Sequence, residues 1–243
     1  MNKVVIITGA SRGIGATTAS LLAANGYQVC VNYHQAKDRA DDIVNDIRKK
    51  NGIAIAVQAD LASEQDILRL FTTVDQQLGP VYALINNAGT NGGICEIENI
   101  TTHHLQQVFA TNVFGTFIAC REAVKRMKQH GGGNIVNISS EAARFGGTNL
   151  AHYAASKAAI NTLTIGCARE VAAYNIRVNT VSPGVIDTEL HQSSSPERIE
   201  NLLKSLPMGR MGKTLEVSEL ILWLISDAAS YISGAIIPVT GAR

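Results

Sequence analysis

The 243 residues carry 21 basic and 20 acidic side chains and are 46% hydrophobic. Charges so nearly balanced give no electrostatic reason to expect nucleic acid or an anionic membrane as partner, and the length suffices for one sizeable core. Met1 runs almost directly into Val4-Val5-Ile6-Ile7 with no room for a secretory leader, the apolar stretch Leu220 to Leu224 is too short to cross a bilayer, and Cys30, Cys95, Cys120 and Cys167 fall in no metal-ligand spacing. The expectations are a cytoplasmic protein with reduced thiols and no metal.

In chain order, short apolar runs alternate with longer segments of helical periodicity. Strands are predicted at Val4 to Thr8, Val29 to Asn32, Ile53 to Ala59, Tyr82 to Ile85, Asn134 to Ser139, Ile176 to Ser182 and Ala235 to Val239. Helices are predicted at Ile14 to Asn25, Asp38 to Lys50, Glu64 to Leu78, Asn112 to Gln129 and Tyr153 to Ala173. Short, continuously apolar strands belong in a parallel sheet covered on both faces, and their alternation with helices makes an α/β doubly wound domain with right-handed crossovers. No linker or change of composition marks a boundary, so residues 1–243 read as a single domain.

Two stretches carry chemistry. Thr8-Gly9-Ala10-Ser11-Arg12-Gly13-Ile14-Gly15 lies where the first strand gives way to the first helix. Its glycines allow a tight turn and close backbone approach, and the helix start offers free N–H groups to a pyrophosphate, although the spacing departs from GxGxxG. Tyr153 and Lys157 stand four residues apart and share one helical face. A phenol titrates near 10, and a fixed cation beside it lowers that value, which makes Tyr153 a usable proton donor.

Together with Asn86-Asn87-Ala88-Gly89 and Pro183-Gly184, in this order, these stretches resemble the signatures of the short-chain dehydrogenase/reductase family along essentially the whole chain. The resemblance implies a Rossmann-like seven-stranded sheet with a nicotinamide cofactor at the strand C-terminal ends. It implies that Tyr153 protonates the oxygen of a carbonyl receiving hydride, and that Lys157 lowers the pKa of Tyr153 and holds the nicotinamide ribose. Ser140, thirteen positions before Tyr153, is implied to orient the carbonyl, with Ser139 its neighbouring competitor. Asn112 either helps hold a relay water or is a purely structural residue that kinks its helix.

For the cofactor, the resemblance implies that Gly9, Ser11, Arg12, Gly13, Ile14 and Gly15 wrap the pyrophosphate; Tyr33 and His34 at the end of the second strand are expected cofactor contacts, and His34 and Lys37 either add to a 2′-phosphate pocket or are solvated surface residues. Asp60, followed by Leu61, is implied to contact adenine unless it only caps the helix starting near Ser63. Asn87, Ala88 and Gly89 line the cleft. Pro183, Gly184, Val185 and Ile186 lie near the carboxamide, and Thr188 near a phosphate. The second strand ends in Asn32-Tyr33-His34 without the acid that holds ribose hydroxyls in NAD-preferring relatives, whereas Arg12 is placed to attract a 2′-phosphate. NADPH is therefore expected over NADH.

Expected substrate walls are Ser140, Glu141, His152, Tyr153, Val185 and His191, and more loosely Thr90 to Ile94 and Arg144, under a lid at 187–212 with a short helix to Lys204. The substrate is expected to be a small polar carbonyl or sugar-like alcohol, with a 3-oxoacyl-carrier-protein reductase as the alternative. Tyr174-Asn175 stands where many such reductases carry a basic residue and glycine, although Arg121, Lys125 and Arg126 are other sources of docking charge. A non-catalytic NADP(H)-binding sensor is the reading from another class, and the presence of both Tyr153 and Lys157 argues against it. The resemblance also implies a homotetramer, or a dimer, through the helices at 112–129 and 153–173. The tail Pro238 to Arg243 departs from the family pattern for the C-terminal interface.

Overall fold

Val4-Val5-Ile6-Ile7 is apolar at every position because its strand is covered on both sides. Val4 and Ile6 pack with Phe71, Ala119 and Ile135, while Val5 and Ile7 pack with Leu22, Val44 and Ile221. This is the period-two alternation of a sheet with two buried faces. The computed structural model describes residues 3–189, 203–204 and 206–243. Its strands are β1 (Val4–Ile7), β2 (Gln28–Tyr33), β3 (Ala54–Gln58), β4 (Val81–Asn86), β5 (Gly133–Ile138), β6 (Ile176–Pro183) and β7 (Ile236–Val239). They form one seven-stranded parallel sheet in the order β3-β2-β1-β4-β5-β6-β7.

One face is covered by α1 (Gly13–Ala24), α2 (Lys37–Lys49) and a late helix (Thr214–Ile225). The other is covered by α3 (Glu64–Gln77), a helix at Gly115–Gln129 and one at Ala151–Val171. Strand order reverses between β1 and β4, which opens a crevice beyond their C-terminal ends.

Among the fully described elements, three helices were not predicted. In chain order the α-helices so described after α3 are α4 (Thr102–Phe109), α5 (Gly115–Gln129), α6 (Ala142–Phe145), α7 (Ala151–Val171) and α8 (Thr214–Ile225). Of these α4, α6 and α8 are the additions. In α8 the run Leu220 to Leu224 has little amphipathic contrast because the helix packs on both the sheet and α1. Thr17 donates to Thr214 at 2.9 Å, and the hydroxyls of Thr18 and Ser218 lie 2.9 Å apart. The helix predicted from Asn112 instead continues from α4 through a π-helical turn at Ala110–Phe114.

Gly115 opens α5 where a Cβ would overlap the carbonyl oxygen of Leu61. Gly115→Ala is expected to destabilise the fold by roughly 1–3 kcal/mol through overpacking. Urea unfolding should show a lower midpoint at unchanged slope.

Candidate active site

The glycine turn after β1 is held from two sides. The backbone N–H of Gly9 donates to Asn32 Oδ1 at 3.1 Å, and Asn87 Nδ2 donates to the carbonyls of Thr8 and Gly9 at 2.9 and 3.0 Å. Gly9 has φ +62°, and a Cβ there would come within 2.8 Å of Ala88 Cα. At Gly15 a Cβ would lie 2.6 Å from Asn87 Nδ2. Only glycine fits at either position. The N-terminus of α1 has no side-chain cap and no acid in its first turn, so its N–H groups and partial positive charge remain for an anion.

A cleft of about 1170 Å³ opens over this turn, lined by Gly9, Ser11 to Ile14, His34 to Ala36, Ala59 to Ala62, Asn87 to Thr90 and Thr188-Glu189. Thr188 faces the turn, its Cγ2 3.6 Å from the place of a Gly13 Cβ. Asp60 accepts from the N–H of Ala62 at 2.9 Å and lies 3.7 Å from His34 Nε2, while Ser63 caps α3. Capping of the α3 start therefore does not occupy Asp60. Asn32, at the strand end, spends its amide on the carbonyls of Tyr33, Val57 and Ala59. Bare glycine backbone, an uncapped helix start and an elongated cleft fit a dinucleotide.

Beyond β5 and α7 a polar cluster gathers. Tyr153 hydrogen-bonds Ser140, whose Oγ also accepts from the N–H of Ala142 at 3.2 Å. Ser139 turns the other way and donates to the Lys157 carbonyl at 3.0 Å, so of the two serines Ser140 is the one that faces Tyr153. Lys157 is 5% exposed, and its Nζ donates to the Ile138 carbonyl at 2.7 Å. Burial lowers its pKa to about 8. Burial raises the Tyr153 phenol above its usual value, and the Ser140 hydrogen bond pulls the other way. The expected lowering of the Tyr153 pKa by Lys157 is thus reversed. Nζ stands 5.8 Å from the phenol ring centroid, and the cost of removing the phenolate from water sets the direction.

Asn112 sits in the π turn. Its Nδ2 donates to the Thr90 carbonyl at 2.8 Å and to Ser156 Oγ at 3.0 Å, and its Oδ1 accepts from the N–H of Thr90 at 2.8 Å. Both amide hydrogens are already donated, so the side chain ties the loop after β4 to α7.

His152 differs from its expected place as a substrate wall. It is 2% exposed, packs beneath Gly92 and beside His104, and its ring nitrogens have no partner among the described residues. Glu141 turns toward β6, where Oε1 accepts from Ser182 Oγ at 3.0 Å. Val185 and Gly212 are joined backbone to backbone, as are Asp187 and Gly212, which ties together the two ends of the 187–212 segment. His191 and most of the segment expected to form a short helix to Lys204 lie outside the described residues.

A family model for short chain dehydrogenase matches residues 3–199. The chain belongs to the short-chain dehydrogenase family. It is 46% identical over 245 residues to an uncharacterized oxidoreductase, YgfF, of Escherichia coli (strain K12), with 99% of each chain covered. It is 35% identical over 242 residues to the 3-oxoacyl-[acyl-carrier-protein] reductase FabG of Staphylococcus aureus (strain Mu50), with 99% of this chain and 98% of that one covered. A solved 7 alpha-hydroxysteroid dehydrogenase, complexed with NADH and 7-oxo glycochenodeoxycholic acid, superposes with a TM-score of 0.94 at 36% identity over 98% of this chain and 93% of that one. The protein is an NAD(P)-dependent oxidoreductase with the Rossmann-like fold of its family.

Two features of this short-chain dehydrogenase escaped sequence reasoning. Arg39, in the first turn of α2, donates to both carboxylate oxygens of Glu189 at 2.7 and 2.6 Å, and Arg12 lies 3.9 Å from one of them. Arg39 follows a strand end that lacks an acid, and that signal was available. Glu189 lies 150 residues further along the chain, and no local pattern pairs it with Arg39. A polar network inside the sheet was missed as well: Asn86 donates to Asn137 at 2.9 Å, Asn137 to Thr164 at 2.8 Å, and Thr164 meets Thr180 at 2.7 Å. It joins β4, β5, α7 and β6 beneath the site.

Proposed function

We propose that this dehydrogenase is an NADP(H)-dependent reductase of a small polar carbonyl, with Tyr153 as general acid, and that the reverse reaction oxidises a sugar-like secondary alcohol. The observation that carries the reading is Tyr153 facing Ser140 one helical turn from the buried Lys157. When bound, the nicotinamide supplies the hydride. Ser140 and Tyr153 hold the substrate oxygen, and Tyr153 gives up its proton as negative charge develops there. A phenol with a raised pKa remains protonated at neutral pH, as a donor must. Lys157, at about 8, exchanges a proton near working pH, resupplies the phenol and holds the ribose.

NADP(H) is favoured over NAD(H) because the residues at the end of β2 include no acid, Arg12 lines that end of the cleft, and Arg39 reaches Glu189 at its edge. A small substrate is favoured over a carrier-protein thioester by how the basic residues of α5 are engaged. Arg121 pairs with Glu64 and Glu122, Lys125 with Glu122, and Arg126 with Asp75 and Glu122, while Lys128 stacks 3.8 Å above the Tyr174 ring. Those cations already have partners. The 35% identity to FabG supports the carrier-protein alternative. NADPH and NADH consumption across ketones, aldehydes, diketones and 3-oxoacyl thioesters tests both. Turnover of hydroxyketones with NADPH bears the reading out, and turnover confined to 3-oxoacyl thioesters replaces it with the alternative.

The half-exposed Phe114 and Phe117 on the α4–α5 element and Ile165 on α7 support a homotetramer or dimer through these helices. Sedimentation showing only monomer at assay concentrations overturns that part. Four free cysteines support a cytoplasmic setting.

A further inference from the structure

We propose that Glu189 is an internal stand-in for the cofactor's 2′-phosphate, and that Arg39, together with Arg12, is the pair of cations for which carboxylate and phosphate compete. The inference rests on the NADP(H) reading above.

Arg39 Nη1 grips both oxygens of Glu189, at 2.7 and 2.6 Å, and Arg12 Nη1 approaches Oε2 from the glycine turn at 3.9 Å. Two guanidinium groups carried by different elements, the β1–α1 turn and α2, thus converge on a single carboxylate. Arg12 and Glu189 both line the cleft beside His34 to Ala36, where β2 ends. Glu189 directly follows Thr188, which packs against Gly13 of the pyrophosphate turn, so the carboxylate is anchored at the cofactor's own edge. The Arg39 hydrogen bond holds its carboxyl below the usual carboxylate range, so at neutral pH it is an anion.

A phosphate dianion offers three oxygens to planar donors where the carboxylate offers two, and it carries more charge. The groups that must part are all well exposed, with Arg12 68%, Arg39 53% and Glu189 40% accessible. An exposed ion pair is weak because water screens it, so little opposes the exchange. Carboxylate and phosphate cannot share the site, because like charges at that distance repel. NADH, with a ribose hydroxyl in place of the phosphate, has nothing to exchange and leaves the Glu189 pair intact. The arrangement makes Arg39 a specificity-determining residue and Glu189 a brake on NADPH affinity.

The test measures dissociation constants of NADPH, NADH and adenosine 2′,5′-bisphosphate by calorimetry for the wild type, Glu189→Gln, Arg39→Gln and the double variant. Removing the competing carboxylate is expected to tighten NADPH and the bisphosphate about threefold. Arg39→Gln is expected to weaken both by roughly tenfold. NADH should change in neither variant, and the gain from Glu189→Gln should vanish in the double variant because the two residues act on one site. Equal shifts for NADPH and NADH, or weaker NADPH binding in Glu189→Gln, overturn the inference while leaving the NADP(H) reading in place. A wild type that binds NADH more tightly than NADPH overturns the reading itself. Both substituted side chains are on the surface, so thermal denaturation curves should be superimposable across the set.

Discussion

Tyr153→Phe is expected to lower kcat for carbonyl reduction by about 10²–10⁴-fold while the NADPH dissociation constant stays within about twofold, since the change removes one proton donor and little else. The aromatic ring remains to fill its place on α7. Only the hydroxyl that bonds Ser140 is lost. Ser140 then has no partner for the substrate oxygen, and water is the remaining proton source. Steady-state turnover beside fluorescence titration of NADPH separates the two quantities. Unchanged turnover in the Tyr153→Phe variant would remove Tyr153 from the chemistry, and a parallel loss of NADPH affinity would assign it to binding.

Lys157→Met is expected to cost a comparable factor in kcat, and its second signature lies in stability against pH. A lysine in water titrates at 10.5, and Lys157 buried here titrates at about 8. Between these values the unfolded chain holds a proton that the folded chain has released, so folding gains stability as pH rises from 8 to 10.5. Below 8 the unfavourable contribution of the buried cation is present in full, and it amounts to about 3 kcal/mol at most. The difference in unfolding free energy between wild type and Lys157→Met should therefore be flat from about pH 6 to 7.5 and move in favour of the wild type above about 8. Urea unfolding at intervals of pH checks it, and parallel curves would show that Lys157 is not desolvated. For the same reason kcat/KM of reduction should fall above about pH 8, where the lysine no longer carries a proton to pass on.

Much of the architecture was legible because buried parallel strands announce themselves. Val4 to Ile7 and Val81 to Ile85 are apolar on both faces for the reason the sheet needs them to be. Helices with one wet face, such as α2 and α3, were equally plain. By contrast α8 was not, because its partners are apolar on several sides, and α4 was not, because it is short and continues into a π turn. The site divided along the same line. Glycine at 9 and 15, and tyrosine and lysine four residues apart on one helix, are local requirements that a sequence can display.

By itself, then, the sequence determined which residues could carry the reaction and the order of strands and helices that would hold them. Their separations were decided only by the tertiary structure. Burial raises the titration of Tyr153, against the direction that charge alone suggested, and lowers that of Lys157. Spacing from Tyr153 already favoured Ser140, and the tertiary structure added which serine faces Tyr153 and which the Lys157 carbonyl. Arg12, Arg39 and Glu189 became one cluster only when the chain closed. Desolvation and long-range pairing depend on what surrounds a group in space, and no window of sequence contains that.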